Sequence, residues 1–585
     1  MLVDQLRADA DAIGPDPTWI HRLSPDEIAP YLEALAGHSP DDMPLYGLPF
    51  AIKDNIDLAG VPTTAGCPEF AYTPERHAFV VEQLIGAGAI PIGKTNLDQF
   101  ATGLVGERAL DCYGAPANAF DPAYVPGGSS SGSAVATAAG QVCFALGTDT
   151  AGSGRVPASF NNLFGVKPTV GLLSNRGVVP ACKTLDTVSI FALTTDDAAA
   201  VLNVAAIFDD QCADARRHDF AALGHRYGEP PAHFSFGVPP REQWQTDEAY
   251  SDAMDTAIAT LIDSGGKPVE VDCQPMLDAA ALLYGGPWLA ERYHAVRALI
   301  ETNPGALHPV TRAIISDGRK STAVDTFDAM YRLAECKRQA DRAISGVAFM
   351  LAPTTVCHPS KAQAAADPVG PNTSLGTWTN FMNLLDYSAL AVPVTIDDRG
   401  LPAGVTLFGA AFDDLALLGV ARAMEARLDL PLGATRLERP KLEKMAPAAD
   451  GSLDILVCGA HLEGLALNFQ LVERDAVCVE RGQTAPRYRF FALTADRPPR
   501  PALVRDDHAG ASIAVELWRM PMANVGSFLA GIPAPLGLGK VEMADGRWVT
   551  GFISGAGALD AITERADITD FGGWRAWIAA RPGGK

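Results

Sequence analysis

The sequence lacks the features that would place the protein in a membrane or outside the cell. It has no run of about 18 apolar residues, the length that a membrane-spanning helix needs. Its opening, MLVDQLRADADAIG, carries acidic residues where a signal peptide needs a basic start followed by an apolar run. The 10 cysteines form no CxxC pair and no Cys/His spacing suited to zinc, which indicates reduced thiols. We therefore expect a soluble cytoplasmic protein without a metal ion or an organic cofactor.

Positive charge is also scarce. The chain has 46 Lys and Arg against 69 Asp and Glu, a formal net charge of -23. Because nucleic acids and anionic membranes are bound by clustered basic residues, this balance argues against both as partners. An anionic small molecule would have to be held by a local arginine or lysine.

The organisation of the chain predicts an α/β fold. At 585 residues it exceeds what one hydrophobic core organises, and its 48% hydrophobic content is that of a globular protein. Residues 1–45 are typical of short helices, with Ser24 as an N-cap and Glu27 three positions later. Up to about residue 205, short apolar runs alternate with Ala-rich helical stretches, the pattern of a sheet covered by helices. Residues 245–350 have a helical pattern, and strands return in FMLAPTT and SALAVPVTI.

A break near residue 440 separates two predicted domains. The segment RPKLEKMAPAADG, residues 439–451, combines two prolines, a charge cluster and a terminal glycine. We predict a first domain at 1–440, a linker at 441–451 and a second domain at 452–585. The second domain is expected to be a smaller, β-rich α+β fold, with strands in LDILVCGAHL, RYRFFALTA, ASIAVELWRM and RWVTGFI.

Two short motifs match known patterns that their context does not support. GAIPIGKT, residues 88–95, has the letters of a phosphate-binding P-loop, but its interior is apolar and Pro91 has no N–H to offer a phosphate, so we predict a strand. GSSSG, residues 128–132, has the letters of an α/β-hydrolase nucleophile elbow around Ser130. The segment before it, AFDPAYVPGG, is a loop rather than the apolar strand that such an elbow requires.

The serine-rich stretch at residues 127–155 contains candidate nucleophiles but no histidine to activate them, since none lies between His77 and His218. A lysine can act as the base when burial disfavours its ammonium form and lowers its pKa. Lys53, at the end of the apolar run in LPFAIKDNID, is the candidate.

A second glycine-rich segment, GTDTAGSGR at residues 147–155, supplies the other half of the expected site. Ser153 lies there among small residues whose N–H groups can converge on one point, as an oxyanion hole requires. We expect Asp149 to hold this loop by hydrogen bonds to backbone N–H groups and Arg155 to pair with a nearby acid.

Together these segments resemble the amidase signature family, over about residues 45–430. The resemblance rests on LPFAIKDNID, GAIPIGKTNLDQFATG, PGGSSSGSA and GTDTAGSGRVPASFNNLFGVKPT, which occur in the family's order. It implies a mixed β-sheet covered by helices, and a triad in which Ser153 is the nucleophile, Ser129 lies beside a cis peptide and relays the proton, and Lys53 is the base. It also implies an oxyanion hole made by the N–H groups of Thr150, Ala151, Gly152 and Ser153.

The segment LLYGGPWLAERYHAVR, residues 282–297, bears on the substrate. It is predicted as one helix, in which Tyr284 and Arg292 stand eight residues apart, about 12 Å of rise, and can share a face. An arginine fork and a tyrosine hydroxyl suit a small carboxylate, although Arg292 could also simply pair with Glu291. This segment resembles the equivalent stretch of allophanate hydrolases. The resemblance implies allophanate as the substrate, with Tyr284 and Arg292 holding its carboxylate.

The C-terminal region extends the resemblance to allophanate hydrolases through VCGAHLEGLALN, RYRFFALT and GSFLAGIPAPLGLGKVEMADGRWVTGFI. It implies a γ-glutamyl cyclotransferase-like domain that decarboxylates the product N-carboxycarbamate, with His461 as its functional residue. A structural histidine and a domain that serves assembly remain open.

The resemblance also favours a homodimer. The chain has no ATP-grasp region and no biotin-attachment motif, so a separate urea carboxylase or biuret hydrolase is expected to supply allophanate, in urea assimilation or in a triazine pathway. Three alternatives remain: a biuret-type hydrolase, the amidase component of a tRNA-dependent amidotransferase, and a silent scaffold with a carboxylate-binding C-terminal domain.

Overall fold

The fold was analysed in a computed structural model. It describes residues 16–218, 220, 226–228, 230–231, 233–442, 452–474, 476–493, 499–554 and 565–580. The chain forms two compact units that divide between residues 448 and 449. The predicted linker, residues 441–451, lies outside the described residues from 443 onward.

The first unit is built on an 11-stranded mixed sheet, which confirms the predicted fold class. Its order is β1-β3-β2-β4-β6-β5-β10-β11-β9-β7-β8. The strands are β1 (Trp19–Arg22), β2 (Pro49–Lys53), β3 (Ile90–Thr95), β4 (Phe144–Asp149), β5 (Phe164–Lys167), β6 (Thr187–Ala192), β7 (Phe234–Val238), β8 (Gly266–Glu270), β9 (Phe349–Pro353), β10 (Ser388–Ile396) and β11 (Pro402–Gly409).

Helices cover this sheet, as the Ala-rich stretches of the sequence predict. In the described residues they are α1 (Pro25–Ala34), α2 (Phe79–Gly86), α3 (Ser131–Ala138), α4 (Val156–Phe160), α5 (Thr195–Ala205), α6 (Arg241–Trp244), α7 (Glu248–Asp263), α8 (Gln274–Gly285), α9 (Trp288–Thr302), α10 (Pro309–Asp317), α11 (Ala323–Ile344), α12 (Lys361–Ala366), α13 (Gly370–Leu375), α14 (Asn380–Leu384) and α15 (Asp414–Glu425).

Three local predictions can be compared with this architecture. The capping box of α1 is present, since the Ser24 hydroxyl accepts from the Glu27 N–H and the Glu27 carboxylate accepts from the Ser24 N–H. The segment resembling a P-loop forms the buried strand β3, as predicted. The prediction of helices alone in residues 1–45 is wrong, because Trp19–Arg22 forms β1. There, pairing with β3, which places Trp19 opposite Thr95, decides the structure of a short segment.

The order of the central strands determines where the functional residues meet. Strand β2 is parallel to its neighbours β3 and β4, with Ile52 opposite Leu146 on β4. The carboxyl ends of β2 and β4 therefore lie at the same edge of the sheet. Lys53 ends the first strand and Asp149 ends the second, so the two sequence segments singled out above converge there.

The second unit is the predicted β-rich α+β domain with a hydrophobic core of its own. It contains a five-stranded sheet, β13-β16-β12-β18-β17, and a three-stranded sheet, β15-β14-β19. No helix in the described parts of either unit is long and apolar enough to cross a bilayer. The elements are β12 (Ser452–Val457), α16 (Phe469–Val472), β13 (Val477–Gln483), β14 (Tyr488–Leu493), β15 (Arg500–Arg505), β16 (Ala514–Pro521), α17 (Met522–Ala530), β17 (Leu536–Glu542), β18 (Trp548–Ser554), β19 (Arg565–Asp567) and α18 (Trp574–Ala579).

Candidate active site

Lys53 is fully buried at the end of β2, and its amine lies among three hydroxyl groups. The Lys53 Nζ is 2.8 Å from the Ser129 Oγ, 2.8 Å from the Thr148 Oγ1 and 3.0 Å from the Ser130 Oγ. Ser129 and Ser130 precede α3, and Thr148 belongs to the adjacent strand β4. The predicted contact between Lys53 and Ser129 is thus present in the structure.

Burial lowers the pKa of Lys53 to about 7, because removal from water disfavours the ammonium form more than the buried carboxylates of Asp98, Asp149 and Asp186 favour it. A neutral amine has two N–H donors and one lone pair, which matches three hydroxyl neighbours. Ser130 donates its own proton to the Thr148 carbonyl at 3.1 Å, so it accepts from Lys53. If Thr148 accepts the second N–H, the Lys53 lone pair is left for the Ser129 hydroxyl.

The Ser129 and Ser153 hydroxyls are not hydrogen-bonded to each other. Ser129 follows a cis peptide bond from Gly128. Ser153 is 3% exposed on the loop after β4, and its hydroxyl makes no hydrogen bond to any described residue. The structure therefore contains the Lys53–Ser129 contact of the predicted triad and leaves the contact with Ser153 unmade.

The loop that carries Ser153 is held by Asp149. Its carboxylate accepts the N–H groups of Gly152 at 2.8 Å and Gly154 at 3.0 Å, and it forms a buried ion pair with Arg155 at 2.9 Å. The structural roles predicted for Asp149 and Arg155 are confirmed. These contacts hold Ser153 on a rigid loop at the edge of the sheet.

One predicted oxyanion donor is already engaged in the structure. The Gly152 N–H donates to Asp149, so it is not free for a substrate oxygen, which corrects the expectation for that residue. The N–H groups of Ala151 and Ser153 make no hydrogen bond within the described chain. Thr150 is held through its hydroxyl, which donates to Asp186 at 2.5 Å. Among the described residues, the N–H groups of Thr150, Ala151 and Ser153 are therefore free of hydrogen bonds, and Thr150 is fixed by its hydroxyl.

The acidic groups around the lysine are all satisfied by protein donors. Asp98 accepts the N–H groups of Gly106 and Arg108, and Asp186 accepts those of Ala181 and Cys182. Burial raises the pKa of Asp186 to about 6. In the residues that the structure describes, no cluster of three or more His, Cys, Asp or Glu could hold a metal ion.

Tyr284 and Arg292 come together, but not in the way the sequence indicated. The predicted single helix is wrong: Tyr284 lies near the end of α8 and Arg292 in α9, with a break at Gly286 and Pro287. Pro287 has no N–H for a continuous helix, so a new helix begins after it. The break brings the Arg292 guanidinium to 5.6 Å from the centre of the Tyr284 ring.

Arg292 is a buried cation that has no carboxylate partner in the described part of the chain. It is 2% exposed, and its Nη1 donates to the Thr102 Oγ1 at 3.3 Å and the Ala101 carbonyl at 3.4 Å. Glu291, the alternative partner, instead accepts from Thr184. Among the described residues no acid lies within ion-pair distance of Arg292, and a buried charge is costly unless something pairs with it.

His461 lies in the second unit, in a cavity of about 40 Å³. Its Nε2 is 3.0 Å from the Gln470 Oε1, and its ring stacks on Phe552 at 5.1 Å between centres. Burial lowers the pKa of His461, which favours the neutral ring. Arg500 lines the same cavity, and its buried Nε has no hydrogen-bond partner among the residues that the structure describes.

Family models match both units of the chain. The Amidase model matches residues 19–418, more than half of the sequence. The chain belongs to the amidase family. The model of the allophanate hydrolase C-terminal domain matches residues 453–579.

Three relatives illustrate how far the similarity of this amidase extends. A urea amidolyase of Saccharomyces cerevisiae is 39% identical over 97% of this chain, which spans only 32% of that protein. Another urea amidolyase, that of Lachancea kluyveri, is 39% identical over 96% of this chain and 31% of its own length. A solved structure of Kluyveromyces lactis allophanate hydrolase is 38% identical, with a TM-score of 0.75 over 99% of this chain and 96% of the other.

Sequence reasoning missed several residues of this amidase site. Ser130 was considered only as the centre of a hydrolase elbow, yet it contacts Lys53 directly. Thr148 and Asp186 were not predicted, because Thr148 reaches Lys53 through the pairing of β4 with β2, and Asp186 reaches the site through β6, which pairs with β4. Thr148 was recognisable only as a polar side chain near the end of a buried strand.

Proposed function

We propose that this amidase hydrolyses allophanate, a urea whose nitrogen carries a carboxylate, to ammonia and N-carboxycarbamate. The observation that carries the proposal is the buried Arg292, which has no carboxylate among the described residues. The similarity to an allophanate hydrolase over 99% of the chain supports it. A substrate carboxylate would supply the missing partner, with a charge-assisted, two-point hydrogen bond to the guanidinium.

The proposed reaction begins with proton transfer through Ser129. Neutral Lys53 accepts the Ser129 proton as Ser129 takes the proton of Ser153, and the Ser153 oxygen attacks the terminal amide carbon. The N–H groups of Ala151 and Ser153, with that of Thr150, stabilise the negative oxygen of the tetrahedral intermediate. Collapse returns the proton to the leaving nitrogen, which departs as ammonia. Water then hydrolyses the acyl group from Ser153 and releases N-carboxycarbamate.

We infer that Arg292 and Tyr284, which we call the carboxylate clamp, determine the class of substrate that the enzyme accepts. The arginine stays protonated and remains buried beside the Tyr284 ring, so a neutral amide would leave its charge unpaired. An amide that carries a carboxylate near its carbonyl neutralises that charge while its carbonyl carbon lies at Ser153. The alternative, a biuret-type hydrolase, would act on a neutral amide and gains nothing from this arginine.

The experiment that tests this function is ammonia release from allophanate, malonamate, biuret and a neutral aliphatic amide. Wild type is compared with Ser153→Ala and with Ser131→Ala, a matched control because the buried Ser131 hydroxyl makes no hydrogen bond to a described residue. We expect wild type to release ammonia from the two carboxylated amides in strong preference to the others. This ammonia release should be lost in Ser153→Ala and retained in Ser131→Ala. Preference for biuret or for the neutral amide would reject allophanate as the substrate.

We further propose that residues 452–585 form a γ-glutamyl cyclotransferase-like domain that assists decarboxylation of N-carboxycarbamate, with His461 as its functional residue. A neutral imidazole in a cavity beside Arg500 is suited to bind a small anion and to transfer a proton. The first domain would end at 440, followed by the linker at 441–451. We place the enzyme in the cytoplasm as a homodimer, functionally coupled to a urea carboxylase or a biuret hydrolase that supplies allophanate.

A further inference from the structure

The segment between Asp98 and Arg108 is hydrogen-bonded to two parts of the site. One is the proton relay of Lys53 and Ser129, and the other is the carboxylate clamp of Tyr284 and Arg292. At the relay, the Asp98 N–H donates to the Ser129 carbonyl at 3.1 Å, and the Gly128 N–H donates to the Leu104 carbonyl at 2.8 Å. We call residues 98–108 the bridging loop. Hydrogen bonds therefore connect this loop to the segment that carries Ser129 and to Arg292.

The clamp end of the bridging loop is Thr102. Its hydroxyl donates to the Phe100 carbonyl at 3.1 Å, which leaves the oxygen lone pairs to accept from Arg292. Phe100 and Ala101 have φ values of 51° and 52°, the left-handed region that costs energy for residues with a side chain. This turn directs the Ala101 carbonyl and the Thr102 hydroxyl to the same guanidinium nitrogen of Arg292.

The other side of Thr102 is held by Arg108, which is 3% exposed. Its Nη1 donates to the Thr102 carbonyl at 2.9 Å, its Nη2 to the Pro368 carbonyl at 3.0 Å, and its backbone N–H to the Asp98 carboxylate at 2.7 Å. The fork of one guanidinium thus joins the loop to a second segment of the chain. A lysine could not reach two carbonyls with this geometry.

Close packing leaves the bridging loop little freedom. A Cβ on Gly103 would come within 2.4 Å of the Asp98 carboxylate, and one on Gly106, whose φ is +78°, within 2.5 Å of the Gly127 carbonyl. Both approaches are shorter than any Cβ contact that a folded protein tolerates. Glycine at these two positions therefore lets the bridging loop approach Asp98 and Gly127 closely.

We propose that Thr102 is a positioning residue for Arg292, and that the bridging loop makes the enzyme select amides whose carboxylate lies at one fixed distance from the scissile carbon. This rests on the proposed function, since it assumes that Arg292 binds a substrate carboxylate. Thr102 fixes one nitrogen of the guanidinium from behind. The remaining donors face the substrate in one orientation.

The test compares malonamate with malonamide, its neutral counterpart of nearly the same shape, in wild type, Thr102→Val and Thr102→Ser. Thr260→Val is the matched control, because the hydroxyl of that buried threonine bonds, among the described residues, only to a carbonyl of its own helix α7, which contributes no residue to the site. We expect Thr102→Val to lower kcat/KM for malonamate about tenfold, through KM, as expected for loss of one weak hydrogen bond to a charged group. Activity on malonamide should stay within about twofold of wild type, and serine should restore the malonamate value, because the lost contact involves only the charged clamp.

The outcomes separate this inference from the proposed function. Suppose that wild type prefers malonamate. If Thr102→Val then lowers kcat/KM equally for both substrates, or for neither, the positioning role is wrong, but the binding of the carboxylate by Arg292 stands. If wild type shows no preference for malonamate, or if Arg292→Ala leaves that preference intact, the proposed function itself fails. Arg108→Lys is a second variant, and we expect it to reduce the preference for malonamate over malonamide. An unchanged preference in this variant would show that Arg108 does not help to position Thr102.

Discussion

At the residue scale, the proposed chemistry depends on Lys53, and only part of its surroundings could be predicted from the sequence. Lys53 could be predicted because it ends an apolar run and because the serine-rich segments lack a histidine partner. The three hydroxyls that share its protons could not all be predicted, since Thr148 reaches it through parallel pairing of β2 with β4. The pattern of a single segment contains no information about which strands become neighbours.

The lowered pKa of Lys53, about 7, has a direct consequence for the pH dependence. Below that pH the amine is an ammonium with no lone pair and cannot accept the Ser129 proton, while above it the amine is neutral. We therefore predict that kcat/KM for malonamate rises with pH through a midpoint near 7 and then levels off. Initial rates of ammonia release between pH 5.5 and 8.5 measure this, and a flat profile would mean that Lys53 is not the base.

At the element scale, the loops and helix ends differ from sequence expectation more than the strands do. Strand β3 was predicted correctly because it is a buried apolar run, and β2 is the apolar run that ends at Lys53. The helix containing Tyr284 and Arg292 was predicted as continuous, since its apolar periodicity persists across Gly286 and Pro287. The two side chains lie close together for a different reason, the turn between α8 and α9.

The loop after β4 tolerates no side chain at Gly152. Its φ is +125°, and an added Cβ would lie 2.4 Å from the Thr379 hydroxyl. We predict that Gly152→Ala displaces the loop and lowers kcat by about 100-fold or more, the loss typical of a damaged oxyanion hole, while the protein stays folded. Steady-state kinetics with a thermal melt measure both effects. Gly86→Ala, where no atom lies within 4 Å of the added Cβ, is the control, and equal activity of the two variants would contradict the account.

At the scale of the whole molecule, the chain combines an amidase unit with a second unit that has its own core. The apolar and helical patterns predict an α/β fold followed by a β-rich α+β region, and the structure has both; the limits at 440 and 452 stay a prediction. The long-range strand orders of both sheets were not predicted, because they depend on contacts between segments far apart in sequence. The role proposed for the second unit depends on His461, which lines a cavity there.

A substitution in the second unit should change the rate of CO2 release without changing the rate of ammonia release. We predict that His461→Ala releases ammonia from allophanate within about twofold of the wild-type rate, because no group of the relay is altered, while CO2 appears more slowly. Simultaneous assays of ammonia and CO2 in the full-length protein measure this. His508→Ala, which changes an exposed histidine of the same unit, should leave both rates unchanged. Unaltered CO2 release in His461→Ala would assign the second unit a role other than decarboxylation.

The most direct test of the central claim, that Ser153 is acylated by a carboxylated amide, is mass spectrometry of the enzyme quenched during turnover of malonamate. The account predicts a malonyl group on the peptide that contains Ser153 in wild type, removable by hydroxylamine and absent from Ser153→Ala. Ammonia release that persists in Ser153→Ala, or an acyl group on another residue, would contradict it.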